Sequence, residues 1–440
     1  MEDLKAAVKN GAIDTVLLVL TDMPGRLQGK RLDARYFLDE ILAHGAEGCA
    51  YLLAVDVEMR TVSGYAMSSW ETGYGDFVMK PDLSTLRLIP WLEKTAMVQA
   101  DLQWQDGKEV APSPRQVLKK QLARLEERGL EAFAATELEF ILFRETYETA
   151  FKKRYWDLEA ANQYNVDYSI IGTSRVENVI GRLRREMAGA GLIVENSKGE
   201  CNFGQHEVNF KYKSALATAD DHVVFKTGAK EIASQEGHAI TFMAKYNERE
   251  GNSCHIHFSL RRKDGSALFR DDPKAFEHFL AGQLAYVREL TLFYAPNINS
   301  YKRYAVGSFA PTAVAWGRDN RTCGFRVVGH GAGLRVENRI PGADVNPYLA
   351  LSAMIAAGLY GMDQKLPLEP EFSGNAYHSS KPKVPSSLRV ARELFAASAL
   401  AKEAFGEAVV AHYLNSADVE LEAFESAVTD WERIRGFERL

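Results

Sequence analysis

Cysteine is scarce: four residues in 440, with Cys49, Cys201, Cys254 and Cys323 scattered and no CxxC spacing among them. This argues against a disulfide framework and a structural zinc site, and points to a cytoplasmic protein. No apolar run approaches membrane-spanning length, and Met1-Glu2-Asp3-Leu4-Lys5 lacks the apolar core of a secretory signal. Long Lys/Arg runs are missing too, and the formal net charge of -6 argues against nucleic acid as a partner. Neither a Walker-type phosphate loop nor a nucleophilic-serine motif occurs. Internal repeats and low-complexity tracts are absent.

What remains is the composition of an ordinary globular protein, 46% hydrophobic and 25% charged, long enough for two domains. Thr15 to Thr21 reads as a buried strand, Asp22-Met23-Pro24-Gly25 as a turn and Gln28 to Leu32 as a return strand. Ala34 to His44 has helical spacing, and Ser63 to Thr72 reads as a loop. Lys80 to Ser84 predicts another turn before a short strand. Together these suggest a compact α+β unit. The prolines of Ala111-Pro112-Ser113-Pro114-Arg115 mark the best boundary, dividing the chain into 1–110 and 111–440. Beyond it, helices are predicted over Arg115–Arg128, Arg175–Ala190, Thr218–Gly237, Asp272–Phe293, Asn346–Met362 and through Pro385–Arg433.

The organising stretch is Thr136 to Phe143. Its alternation predicts a strand with Glu137 and Glu139 on one face and Leu138 and Phe140 on the other. Two neighbouring carboxylates repel, so a cation beside them is expected, and oxygen ligands suit Mg²⁺ or Mn²⁺. Taken alone, such a pair is more often a solvated edge. Downstream, Glu200 and Glu207 flank a glycine-containing turn. His255, His257 and Ser259 share a strand face beside a small-residue loop, and Arg335, Glu337 and Arg339 share another. Arg303, Arg318, Arg321 and Arg326 lie between these groups and suit capture of carboxylate and phosphate oxygens.

In this order, Glu137–Phe140, Glu200–Glu207, Gly251–His257, Asn299–Arg303, Asn320–Arg326, Arg335–Arg339 and Asn346–Leu349 resemble the motifs of the glutamine synthetase superfamily over nearly the whole chain. The resemblance implies an α+β fold with a small N-terminal β-grasp-like domain and a large C-terminal catalytic domain. It implies two metal sites for Mg²⁺ or Mn²⁺, one from Glu139, Glu200 and Glu207 and one from Glu137, His255 and Glu337. Phe210, Tyr212, His257, Ser259 and Arg335 match nucleotide-binding positions. Gly251, Arg303 and Arg339 match glutamate-binding positions, and Arg321, Arg326 and Arg339 catalytic ones. The implied reaction uses ATP to phosphorylate the γ-carboxylate of L-glutamate before an amine displaces phosphate. The implied assembly is a dodecamer of two hexameric rings.

Two departures bear on the amine. Ammonia-using members carry a flap glutamate where this chain has Phe309, and an Asp-Gly-Ser-Ser segment where it has Ser63 to Thr72, with Glu71 the only acid. The sequence is therefore similar to the γ-glutamylpolyamine and glutamate–ethanolamine ligase branch, with Phe309 and Glu71 as candidate amine-specificity residues. Ordinary glutamine synthesis from ammonium is the alternative, and a catalytically silent relative is an alternative of another class.

Overall fold

Along β1 (Thr15–Thr21) successive side chains alternate between faces, yet Val16 through Leu20 are all buried. Such a strand needs cover on both sides. Val16, Leu18 and Leu20 join an apolar core that extends from Leu4 to Val110. Leu17 and Val19 turn instead to the larger core that holds most of the later chain. The computed structural model describes residues 2–440; Met1 lies outside the described residues. With β2 (Leu27–Asp33), β3 (Ala46–Cys49), β4 (Asp76–Leu88) and β5 (Thr95–Gln103), β1 forms a mixed sheet in the order β2-β1-β5-β4-β3. Its one parallel pair is β1 with β5.

The turn expected at Lys80–Ser84 lies instead inside β4, and no separate short strand follows it. Pro81 pairs with Ala100, and the ladder slips between Asp82 and Arg87. Local turn chemistry is present, since Asp82 Oδ1 accepts from the Ser84 amide and hydroxyl, but pairing with β5 carries the strand across it as a bulge.

The second sheet has nine strands: β6 (Leu130–Phe143), β7 (Val194–Gly199), β8 (Gln205–Phe210), β9 (Lys213–Ser214), β10 (Ala239–Thr241), β11 (Cys254–Arg262), β12 (Trp316–Arg318), β13 (Phe325–Val328) and β14 (Arg335–Asn338). The main path runs β12-β13-β14-β11-β6-β8-β7. Leu138, Phe140, Val208, Ile256, Phe258 and Val336 project from one face into the large core; burying each such side chain is worth about 1.5–3 kcal/mol. Period two then forces Glu137, Glu139, Glu207, His255, His257 and Glu337 onto the opposite face.

The helix Pro347–Asp363 runs through that core, buried nearly all round and capped by Asn346, whose side chain accepts from the Tyr348 amide. It lies against the helix Pro273–Tyr286 so closely that a Cβ on Gly361 would come 2.7 Å from Gly282 Cα. Alanine there would force the helices apart. The predicted Asp272–Phe293 helix breaks after Tyr286 and resumes at Thr291. Thr291 Oγ1 donates to Val287 O there, one of the local bonds that compete with a helical ladder. The C-terminal stretch likewise divides, into helices Leu388–Ala397, Ala399–Phe405, Glu407–Ser426 and Asp430–Gly436. Ser387 and Ser398 cap the first two, and Gly406, at φ 91°, starts the third.

Buried Arg115 ties the first sheet to a helix of the larger unit. Its guanidinium reaches Asp82 on β4, Asp101 on β5 and Asp220 on the helix Ala215–Gln235. Asn346 Nδ2 donates to the carbonyls of Asp22 and Met23, fixing the β1–β2 turn against the large core.

Candidate active site

Register assembles the site. On β6 and β11, Glu137 lies opposite His255; on β6 and β8, Glu139 lies opposite Glu207. On β11 and β14, His257 lies opposite Glu337, which on its other side pairs with Arg326 of β13. Residues separated by up to 200 positions thus meet on one sheet face. Glu137, His255 and Glu337 offer ligand atoms within 4.8 Å of one another, and so do Glu139, Glu200 and Glu207.

The two trios differ in their surroundings. In the first, Glu337 is fully buried, with Arg339 on Oε1 and Arg326 Nη1 2.9 Å from Oε2. Burial alone would raise its carboxyl, but Arg339 and then His255 hold it below the ordinary value. For Glu137, burial is likewise outweighed by hydrogen bonds from His255 and His257, and the group ends depressed. His257 Nε2 lies 2.8 Å from Glu137 Oε1 while its Nδ1 faces Arg335 Nε at 3.1 Å, so the partners select an Nε2–H imidazole. Burial, reinforced by Arg339, lowers His255 to about 4, leaving it neutral.

In the second trio burial and mutual repulsion act together. Glu139 is raised by burial and then by Glu200; Glu207 is raised by burial and then by Glu137, Glu139 and Glu200. Among the described residues, only the Ser253 amide, at 2.7 Å, and Gln205 Nε2, at 3.2 Å, donate to Glu139. Among the described residues the cation in contact is Lys198, on Glu200. These are carboxylates short of positive charge. That fits a divalent metal, and the oxygen-rich donor set suits a hard one.

Two cavities open on this face. One, of about 540 Å³, is lined by Glu139, Glu200, Glu207, Gly251, Phe309 and the arginines 321, 326 and 339. The other, of about 370 Å³, is lined by Phe210, Tyr212, His257, Ser259 and Arg335, together with Phe133 and Arg261. Glu137 borders both. Arg261 lies 4.8 Å from the centroid of the Phe133 ring.

Two expected residues sit elsewhere. Arg303 does not line the cavity; its buried guanidinium donates to Ser253 Oγ, Ile340 O and Arg339 O, bracing the backbone on which Arg339 rides. Glu71 lies exposed in its loop and lines neither cavity. Phe309 has φ 57°, its side chain is largely exposed, and its carbonyl accepts from Arg339 at 3.3 Å. Sequence reading passed over Asp167, Tyr168 and Lys198, which also line the larger cavity. Lys198 carried a usable signal, two residues before Glu200 on the same strand parity; Asp167 and Tyr168, in a loop, carried none.

Residues 111–435 match the family model of the glutamine synthetase catalytic domain. The chain is 61% identical to gamma-glutamylethanolamide synthetase GlnA4 of Streptomyces coelicolor, the match covering 100% of this chain and 96% of that one. It is 38% identical to the glutamate–isopropylamine ligase of a Pseudomonas species, over 96% and 95% of the two chains. Among solved structures, that of a GmaS/ADP complex superposes with a TM-score of 0.87 at 26% identity, covering 99% of this chain and 100% of that one.

Proposed function

Because this chain belongs to the glutamine synthetase family, we propose that it is an ATP-dependent ligase joining the γ-carboxylate of L-glutamate to an organic primary amine of the ethanolamine type. The observation that carries the reading is the meeting of Glu139, Glu200 and Glu207, and of Glu137 and His255 from the other trio, with Phe309, rather than an acid, on one cavity. Relatives that act on ethanolamine and isopropylamine support the organic amine.

The family uses ATP and a divalent metal. Mg²⁺ or Mn²⁺ would be held by Glu137, His255 and Glu337 and by Glu139, Glu200 and Glu207, where it would screen charge between ATP and glutamate. Phe210, Tyr212, His257, Ser259 and Arg335 hold the nucleotide. Gly251 and Arg339 position glutamate, with Arg303 fixing the strand end that carries Arg339. A γ-carboxylate oxygen attacks the terminal phosphorus of ATP and ADP leaves. Arg321 and Arg326 stabilise the charge on the transferring group. The amine, once its ammonium form has lost a proton to solvent, attacks the acyl carbon through nitrogen, phosphate leaves and the nitrogen gives up its second proton. Phe309 covers the acyl phosphate with an apolar wall, excluding water without offering a carboxylate that would favour ammonium.

The division at 110/111 is supported by the separate apolar core of the first 110 residues. A double-ring dodecamer is the assembly the family resemblance supports, and exposed Trp431, Ile434 and Phe437 provide apolar surface for contacts between copies. No helix among the described residues is long and apolar enough to cross a membrane. Four unpaired cysteines support a cytoplasmic location.

The test is phosphate release from ATP and glutamate across ammonium, ethanolamine, putrescine, spermidine and longer amines. An organic amine should give the highest kcat/KM. A preference for ammonium would return the chain to ordinary glutamine synthesis.

A further inference from the structure

One feature of the larger cavity is unused by this mechanism. Lys198 extends a primary ammonium into its wall, where Nζ contacts Glu200, lies 3.5 Å from Asp167 Oδ1 and sits 4.6 Å from the centroid of the Tyr168 ring. Carboxylates and an aromatic face around an ammonium form a cage for an R–CH2–NH3⁺ group, whatever chain bears it. An organic amine reaching the cavity at neutral pH carries that same group.

Asp167 is held there by the fold. Its backbone bridges in parallel to Gly199, so close that a Cβ at Gly199 would come 2.2 Å from Val166 O. The loop is anchored at both ends by buried Asn162, whose Oδ1 meets His206 Nε2 at 2.9 Å and whose Nδ2 donates to Gly172 O at 3.0 Å. Its carboxylate thus faces the cavity from a fixed backbone while staying one-third exposed, open to an arriving cation. Besides Lys198, only the Cys201 thiol contacts it, at 3.7 Å.

The geometry points to Asp167 as the specificity-determining carboxylate for the organic amine: it draws the protonated amine into the place the Lys198 ammonium takes here, supplying the negative charge that Phe309 does not. Tyr168 offers its ring to the same cation. This rests on the reading of the chain as an organic-amine ligase.

The experiment compares wild type, Asp167→Asn, Asp167→Glu and Lys198→Met in phosphate release, with ethanolamine (cationic) and hydroxylamine (uncharged at neutral pH) as alternative nucleophiles. Asp167→Asn should raise the ethanolamine KM about tenfold, the effect of losing one charge-assisted hydrogen bond. The KM values for hydroxylamine, glutamate and ATP should stay within about twofold, and Asp167→Glu should recover part of the loss. Lys198→Met removes the competing ammonium and should lower the ethanolamine KM relative to that of hydroxylamine by about threefold. Equal shifts for both nucleophiles, or none in Asp167→Asn, would overturn the role of Asp167. An unmoved ratio in Lys198→Met would overturn the shared place. A wild type that turns over hydroxylamine but not ethanolamine would instead sink the organic-amine reading and this proposal with it.

Discussion

The two trios lie on one sheet face, yet the chain treats them differently. Around Glu137, His255 and Glu337 it supplies its own counter-charge: Arg326 and Arg339 grip Glu337, and the histidines bond Glu137. Around Glu139, Glu200 and Glu207, three carboxylates face one lysine, and Glu139 and Glu207 are raised. The first group is therefore built to keep its shape whether or not a metal is present, because its charges are already balanced within the fold. The second carries charge that a bound cation would balance. Buried carboxylates that repel one another destabilise the folded chain until something positive binds between them.

The sharpest way to break the contrast is at Glu337. Glu337→Ala removes a ligand, leaves the buried Arg339 guanidinium without its carboxylate and leaves Arg326 with Asp319 alone. Activity should fall by at least about a thousandfold, combining a lost ligand with mispositioned arginines, and the unfolding midpoint should drop as well. Phosphate release and a thermal melt measure both; near-normal turnover would remove Glu337 from the metal site.

Next in size is Arg321, an exposed arginine that lines the cavity. Arg321→Ala should lower kcat about a hundredfold while changing the glutamate KM little, because its charge is proposed to matter only as the phosphoryl group transfers. A change confined to the glutamate KM would move it to substrate binding.

The amine preference is expected to respond less. Phe309→Glu should lower the ethanolamine-to-ammonium ratio of kcat/KM by about tenfold. Full conversion is not expected, since the Ser63–Thr72 loop also lacks the ammonia-binding segment. An unchanged ratio would show that Phe309 does not select the amine.

The smallest effect tests the contrast itself. In the metal-free protein Glu139→Gln relieves repulsion and should raise the unfolding midpoint by about 2 °C, whereas Glu337→Gln should lower it. Adding Mn²⁺ should stabilise wild type and do so less in Glu139→Gln. Metal-free midpoints that fall in both variants would mean the two trios are equivalent after all.

Much of this was legible in the chain. Strand period decides which residues of β6, β11 and β14 share a face, and the ordered motifs name both trios. Pro114 and the Asn346 cap marked helix starts where they occur. Local residues favour a turn at Lys80–Ser84 and an unbroken Asp272–Phe293 helix, while pairing with β5 and a competing Thr291 hydroxyl decide otherwise.

Alternation and composition act locally, so by itself the sequence determined the α+β pattern, the hard oxygen-rich donor set and the loss of an acid at Phe309. Register is a property of pairs of strands. Only the tertiary structure could set Glu139 opposite Glu207 and Glu137 opposite His255, and so decide which carboxylates are neutralised and which are left for a cation. Only it could withdraw Arg303 into the backbone and bring Asp167, from a loop with no periodic signal, against Lys198. Charge is written in single residues, but its compensation depends on distances of a few ångströms between segments far apart in the chain.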